Sequence, residues 1–325
     1  MPKMRKIVVI GGGTGLSVLL QGIKNIEGAE LTAIVSVADD GGSSGVLRED
    51  LGMLPPGDIR SCLLALASEE EGMREILAYR FSEGRLKGQN IGNLIIAALN
   101  EIYGSFDEAI EKVSDILKVK GRVLPVSGDR MVLCGELENG NIIVGESQIP
   151  KVSIRENSAI ADIFLETKDA RATKSAVNAI READAILIGP GSLYTSIIPN
   201  FLVHGVTEAL RKSGGIKIYI CNVMTQPGET NGMSVACHTS EVCRFLSGAL
   251  PDFVIANDRV LEGEDIKKYS VDGAAQVIAS EEDETVLDSK GISLIKGAFI
   301  ETRKGYVRHD SRAVAEVITR LMGER

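Results

Sequence analysis

A run of β-branched residues, Ile7-Val8-Val9-Ile10, ends in three consecutive glycines and gives way at once to a helical period. An uninterrupted apolar run of this kind marks a strand buried on both faces, the habit of parallel sheets. Leu16, Leu19, Leu20 and Ile23 then repeat at i, i+3, i+4 and i+7, the spacing of one helix face. Residues 31–38 supply a second apolar strand. Strand, glycine turn, helix and strand make one βαβ unit, whose crossover is right-handed. The chain is therefore expected to be α/β and Rossmann-like, a mostly parallel sheet with helices on both faces. Apolar residues make up 44% of 325 residues, enough to cover such a sheet twice.

The rhythm continues along the chain. Helices are expected at 58–67, 91–99 (with Asn90 as N-cap), 107–119, 172–182, 207–212 and 312–322. Residues 246–250 are expected to close a further helix. Strands are expected at 185–188, 217–221 and 253–256. One stretch differs. Residues 131–138 and 142–148 alternate around Asn139-Gly140, the signal for a hairpin with a type I′ turn. Residues 121–166 are thus read as an antiparallel excursion from the parallel sheet. With no internal repeat or linker, residues 1–325 read as one elaborated domain.

Composition excludes several classes. A net charge of −9 lacks the basic footprint of a nucleic-acid binder, and the absence of Trp removes one kind of stacking platform. Five cysteines, an odd number without a C-x-x-C pair, suit a reduced, cytoplasmic protein. No signal-peptide core and no membrane span are apparent. A homodimer is expected only on base rates.

The chemistry-bearing residues collect where strands end, which is where open α/β sheets bind ligands. Gly12, Gly13, Thr14 and Gly15 open the first helix and offer N–H groups to a phosphate. The dinucleotide fingerprint G-x-G-x-x-G fails at Leu16, so NAD is not expected. Asp39 and Asp40 precede Gly41, Gly42, Ser43 and Ser44, a pattern suited to Mg²⁺ carrying phosphate oxygens. Asp58 follows Pro55-Pro56-Gly57 as a further metal ligand or a helix cap. Asn90 and Asn93 place amides around another helix start, where they cap the helix or read a polar ligand. Gly191 and Ser192, within Gly189-Pro190-Gly191-Ser192, form a second anion-binding turn. Residues 222–230 add a polar loop at a later strand end. The P-loop and serine-hydrolase signatures are absent, and the grouping of Cys237, His238 and Cys243 lacks a fourth metal ligand at a recognised spacing.

Residues 10–16 (IGGGTGL), 38–45 (ADDGGSSG), 55–60 (PPGDIR), 92–94 (GNL), 189–196 (GPGSLYTS) and 308–311 (RHDS) together resemble the bacterial gluconeogenesis-factor family (YvcK-type). That family is related to the CofD-like 2-phospho-L-lactate transferases. The resemblance implies a Rossmann-like nucleotide-binding fold. It implies a regulatory factor for gluconeogenic growth and cell shape that binds a nucleotide sugar, UDP-N-acetylglucosamine. Arg308 and Tyr269 are the ligand contacts it implies. Ser311 stands where relatives carry a phosphorylatable Thr, which brings in a Ser/Thr kinase as partner. The alternative is a Mg²⁺-dependent phospholactate-type transferase using a nucleotide-linked donor, with metal acids at Asp39, Asp40 and Asp58. The transferases carry bulkier residues where this chain has residues 41–45, which favours the regulatory branch.

Overall fold

The central strand fixes the geometry of the rest. In a computed structural model, which describes residues 4–68, 71–166, 168–261, 273–303 and 306–323, strand β1 (Arg5–Gly11) pairs in parallel on both sides. Its neighbours are β2 (Ala29–Val35) and β7 (Ala185–Ile188). Side chains alternate across the strand, and both faces are buried. Ile7 and Val9 join the core on one face, Val8 and Ile10 that on the other. The first face is covered by α1 (Gly13–Ile23), α3 (Gly57–Leu66) and the C-terminal helix Ser311–Gly323. Helices Lys174–Glu182, Val206–Lys212 and Val235–Phe245 cover the second.

Between β2 and β7 come β3 (Arg122–Pro125), β4 (Leu133–Leu137), β5 (Ile142–Val144) and β6 (Ile160–Leu165). After β7 come β8 (Ile216–Ile220), β9 (Phe253–Asn257), β10 (Ser293–Gly297), β11 (Ile300–Arg303) and β12 (Tyr306–His309). The seven-stranded sheet runs β10-β9-β8-β7-β1-β2-β3. The chain therefore walks outward from β1 to β3, returns to the opposite side of β1, and walks outward again. This reversal between β1 and β7 is the topological switch point, where the two diverging connections leave a crevice.

The antiparallel excursion is smaller than residues 121–166. β3 pairs in parallel with β2, so it belongs to the main sheet, and only β5-β4-β6 form the separate antiparallel sheet. The Asn139-Gly140 turn also differs from type I′. Glu136 pairs with Ile142, the N–H of Gly140 donates to the carbonyl of Leu137, and only Gly140 takes a positive φ. That is a three-residue loop, a type I turn closed by a left-handed glycine. Residues 246–250 lie beyond a helix that ends at Phe245, so they do not close it. α2 (Gly42–Leu51) begins inside what reads in sequence as a glycine loop. Among the described residues no helix is long and apolar enough to cross a membrane.

Candidate functional site

The switch point brings the two glycine turns together. A Cβ on Gly15 would stand 2.8 Å from the Pro190 carbonyl oxygen and 3.1 Å from Gly191 Cα. Glycine at 15 thus lets one loop rest on the backbone of the other. Gly15→Ala is expected to destabilise the protein by about 1–3 kcal/mol, as overpacking does. A urea midpoint that falls with an unchanged m-value checks this; an unchanged midpoint refutes it.

Beside the paired loops lies a cleft of about 450 Å³, lined by Gly13, Thr14, Gly15, Gly191, Ser192 and residues 222–227, with Arg308 and His309 brought in by β12. Asn222 locks the second loop by a reciprocal pair: its Nδ2 donates to the Gly191 carbonyl (2.7 Å) and its Oδ1 accepts the Gly191 N–H (3.2 Å). Gln226 Nε2 donates to Ser192 Oγ at 2.7 Å, while Gln226 Oε1 is buried with no partner among the described residues. His309 packs its Nε2 at 2.9 Å from the Cys221 carbonyl, and burial pulls its ring down to about 4. It is neutral near pH 7 and acts as a strut, which leaves the Arg308 guanidinium as the cation on the cleft wall among the described residues. That group sits 5.2 Å from the Tyr306 ring centre, with Nη1 donating to the Val307 carbonyl.

The turns are not bare, as the sequence suggests. The Gly13 N–H donates to Asp58 Oδ2 at 2.7 Å. At the second turn, the Tyr194 N–H and the Thr195 hydroxyl donate to the two oxygens of Glu229, each at 3.2 Å. Two internal carboxylates therefore take donors that a phosphate would otherwise claim. Both are strained electrostatically. Burial, then the nearby Asp39, raises Asp58 to about 6 against the pull of the Gly13 N–H and Arg60. Burial raises Glu229 to about 7. Glu146, in the loop after β5, is raised to about 8 by burial and then by Asp39 and Asp40.

A second cavity of about 280 Å³ is lined by Asp39, Gly41, Gly42, Ser43, Ser44, Asp58 and Asn93, joined by Gly57, Arg60, Ser61 and Arg80. Much of its polar wall is structural. Ser43 donates to Gln89 Oε1 (2.8 Å) and accepts the Asn90 N–H (3.3 Å). Ser44 accepts the Gly57 N–H at 3.1 Å. Asn90 caps the helix Ile91–Tyr103 by accepting the Asn93 N–H at 3.1 Å.

The residues singled out in sequence thus divide into two groups. Gly13, Thr14, Gly15, Gly191, Ser192 and Arg308 share the cleft, whereas Asp39, Gly41, Gly42, Ser43, Ser44, Asp58 and Asn93 share the second cavity. Gly12 is at the seam: a Cβ there would lie 2.7 Å from Asp58 Oδ2. Asp40 lines neither cavity, and its Oδ1 accepts the Ser147 N–H at 2.9 Å. Asp58 lies within the first turn of α3 and is not its N-cap, which is Pro56. Tyr269 lies outside the described residues. Ser311 is only 4% exposed and is packed beneath Gly22 of α1, while Asp310 Oδ1 accepts the Arg312 and Ala313 N–H groups. The hydroxyl is neither the helix cap nor presented to a kinase in this conformation.

The metal expectation meets a specific donor set. Among the described residues no three His, Cys, Asp or Glu side chains gather as a metal cage. Asp39 and Asp58 do line one cavity, and each has committed one oxygen to a backbone N–H. Mg²⁺ uses one or two carboxylates with phosphate and water, so this pair fits it and would hold it. Sequence reasoning missed Glu146 and Arg80 and gave Gln226 and Glu229 no individual role. Glu229 and Gln226 belong to the polar loop 222–230 that the sequence does mark; Glu146 has no local signal.

Comparison with known proteins places these features in context. Residues 7–300 match the family described as 2-phospho-L-lactate transferase CofD. The putative gluconeogenesis factor of Thermoanaerobacterium thermosulfurigenes is 50% identical over 98% of this chain and 97% of its own length. The gluconeogenesis factor of Bacillus subtilis is 41% identical over the whole of both chains. A crystal structure of a UPF0052 family member from Bacillus halodurans superimposes with a TM-score of 0.92 at 41% identity, covering 97% of this chain and 99% of that one.

Proposed function

Since the chain belongs to the CofD family and resembles its gluconeogenesis factors over its full length, we propose that it is a regulatory factor for growth on gluconeogenic carbon and for cell shape, acting by binding a nucleotide sugar, UDP-N-acetylglucosamine. The observation that carries this reading is that Arg308 and the first turn of α1 share one cleft at the switch point. A guanidinium and a helix N-terminus are the two partners a diphosphate takes most readily. The cleft volume falls within the range of small-molecule sites. The relatives' name supports the gluconeogenic role.

A second reading, a Mg²⁺-dependent transferase using a nucleotide-linked donor, is favoured by the two carboxylates Asp39 and Asp58 in the adjoining cavity. Bound Mg²⁺ would neutralise phosphate charge there. The chain's own groups would orient the donor in the cleft and hold the carboxylates through the Gly41 and Gly13 N–H groups.

Calorimetric titration with UDP-N-acetylglucosamine separates the readings. Saturable binding is expected, with stabilisation approaching about 2.7 kcal/mol at a hundredfold excess over Kd. NAD should give neither. Absence of binding would refute the first reading. Metal-dependent turnover of a nucleotide-linked donor, abolished by Asp58→Asn, would establish the second.

A further inference from the structure

The helix α5 (Ile91–Tyr103) is apolar on two sides, and only one of them is fully buried. Gly92, Asn93, Ile96 and Ala97 are buried on the inner side. On the outer side Ile91, Ile95, Ala98 and Ile102 repeat at i, i+4, i+7 and i+11, with Leu94 beside them, so they share one stripe. No charged residue interrupts it. Exposure grows along the stripe. Ile91, Leu94 and Ile95 are half-buried, Ala98 is exposed, and Ile102 is 70% exposed. A helix that is apolar all round is ordinarily covered on every side.

Further apolar side chains stand at the start of this helix. Tyr79 and Leu86, 51% and 45% exposed, lie in the connection between α4 (Glu71–Ala78) and α5. That connection is fixed to α5. The Ile91 N–H donates to the Tyr79 carbonyl at 3.0 Å, and the Phe81 N–H to the Gln89 carbonyl at 2.9 Å. The Tyr79 ring stands edge-on to Phe81, with centroids 5.3 Å apart.

Charge is divided between the two ends of the stripe. At the start of α5 the connection exposes Arg80, Arg85 and Lys87 beside a single acid, Glu83. At its end Glu101 is exposed, and the next helix, α6 (Phe106–Leu117), exposes Asp107, Glu108 and Glu111. A fitting partner carries an apolar stripe with the charges in the opposite order. A second copy of this chain, turned about a two-fold axis, supplies that surface. Antiparallel pairing lays the stripe on itself and sets the basic end of each copy over the acidic end of the other. Ile95 and Ala98 lie at the middle of the stripe, where the small Ala98 side chain permits close approach of the two helices.

We propose that α5 is the centre of a homodimer interface, in which two copies pack this helix antiparallel across a two-fold axis. This goes beyond the nucleotide reading and stands whatever the cleft binds. The face adjoins the second cavity, whose wall takes Arg80 and Asn93 from the same connection and helix.

Sedimentation velocity of the full chain at micromolar concentration tests this. The wild type should sediment with twice the mass of one chain. Ile102→Asp should raise the dimer dissociation constant at least tenfold, because association then buries an unpaired carboxylate. Its far-ultraviolet circular dichroism should match the wild type, since the side chain it replaces is mostly exposed. Glu101→Lys should also weaken the dimer, by placing like charges together. A second measurement reads the two-fold axis directly. Ala98→Cys, in a Cys237→Ser background that removes the exposed native thiol, should form an intermolecular disulfide on mild oxidation. Three results would overturn the proposal: a monomeric wild type, a dissociation constant for Ile102→Asp within twofold of wild type, or no cross-link through Ala98→Cys. A failed UDP-N-acetylglucosamine titration, by contrast, bears only on the cleft.

Discussion

Arg308→Ala is expected to weaken UDP-N-acetylglucosamine binding about 30-fold while leaving the fold intact. The figure follows from removing charge-assisted hydrogen bonds to a diphosphate, worth about 2 kcal/mol, at about 1.4 kcal/mol per decade of affinity. The effect should be large because His309 cannot substitute. Its ring is held neutral by burial, and it is bound to the Cys221 carbonyl. Arg308 lies on a two-stranded ribbon, paired across from Glu301, and half-buried, so truncation opens no core cavity. Arg308→Lys should recover only part of the affinity, since a point charge lacks the guanidinium fork. Paired calorimetric titrations of wild type and variant measure this; equal dissociation constants would remove Arg308 from the site.

The second large effect is a pH dependence of stability that Glu229 creates. Its folded pKa, about 7, lies above the ordinary carboxylate value. Between the two the native state holds more protons than the unfolded state, so stability falls as pH rises through this window and levels off above it. The contribution is roughly 3 kcal/mol. Asp58 and Glu146 have the same sign, and Glu146 extends the fall toward pH 8. His309 opposes them: its depressed pKa makes stability rise with pH between about 4 and its ordinary value. Comparison with Glu229→Gln isolates the one group. Urea unfolding from pH 5 to 8 should give a wild-type-minus-variant stability that declines across the series. A flat difference would show that Glu229 titrates normally.

The sheet is legible because its signals are local. The run Ile7–Ile10 alternates between two buried faces, and Leu16, Leu19, Leu20 and Ile23 all lie in the core. Either pattern survives without knowledge of partners. α2 is hidden because Gly42 and Gly45 carry no helix preference, and its stability comes from tertiary ties such as Arg48, whose Nη2 donates to the Met131 carbonyl. The hairpin shows the limit of dipeptide rules. Asn139-Gly140 marks the turn, but the register of β4 on β5 decides the loop length.

In the site, sequence locates the loops but not how their donors are used. Glycine turns before helices imply exposed N–H groups. Only folding reveals that Asp58, 45 residues from Gly13, and Glu229, 35 residues from Tyr194, take them. Glu146 is illegible for the same reason, since its neighbours Asp39 and Asp40 come from a distant strand end. Ser311 shows the reverse case. A hydroxyl before a helix looks available, yet the approach of two helices at Gly22 buries it.

The bond between Gly13 and Asp58 joins the two cavities through one hydrogen atom. An occupant that draws the Asp58 carboxyl toward α2 frees the Gly13 N–H, and one that claims the N–H frees the carboxyl. Two occupants competing for this one bond would be coupled. Thermodynamic reciprocity then requires that whatever factor the first ligand imposes on the affinity of the second, the second imposes equally on the first.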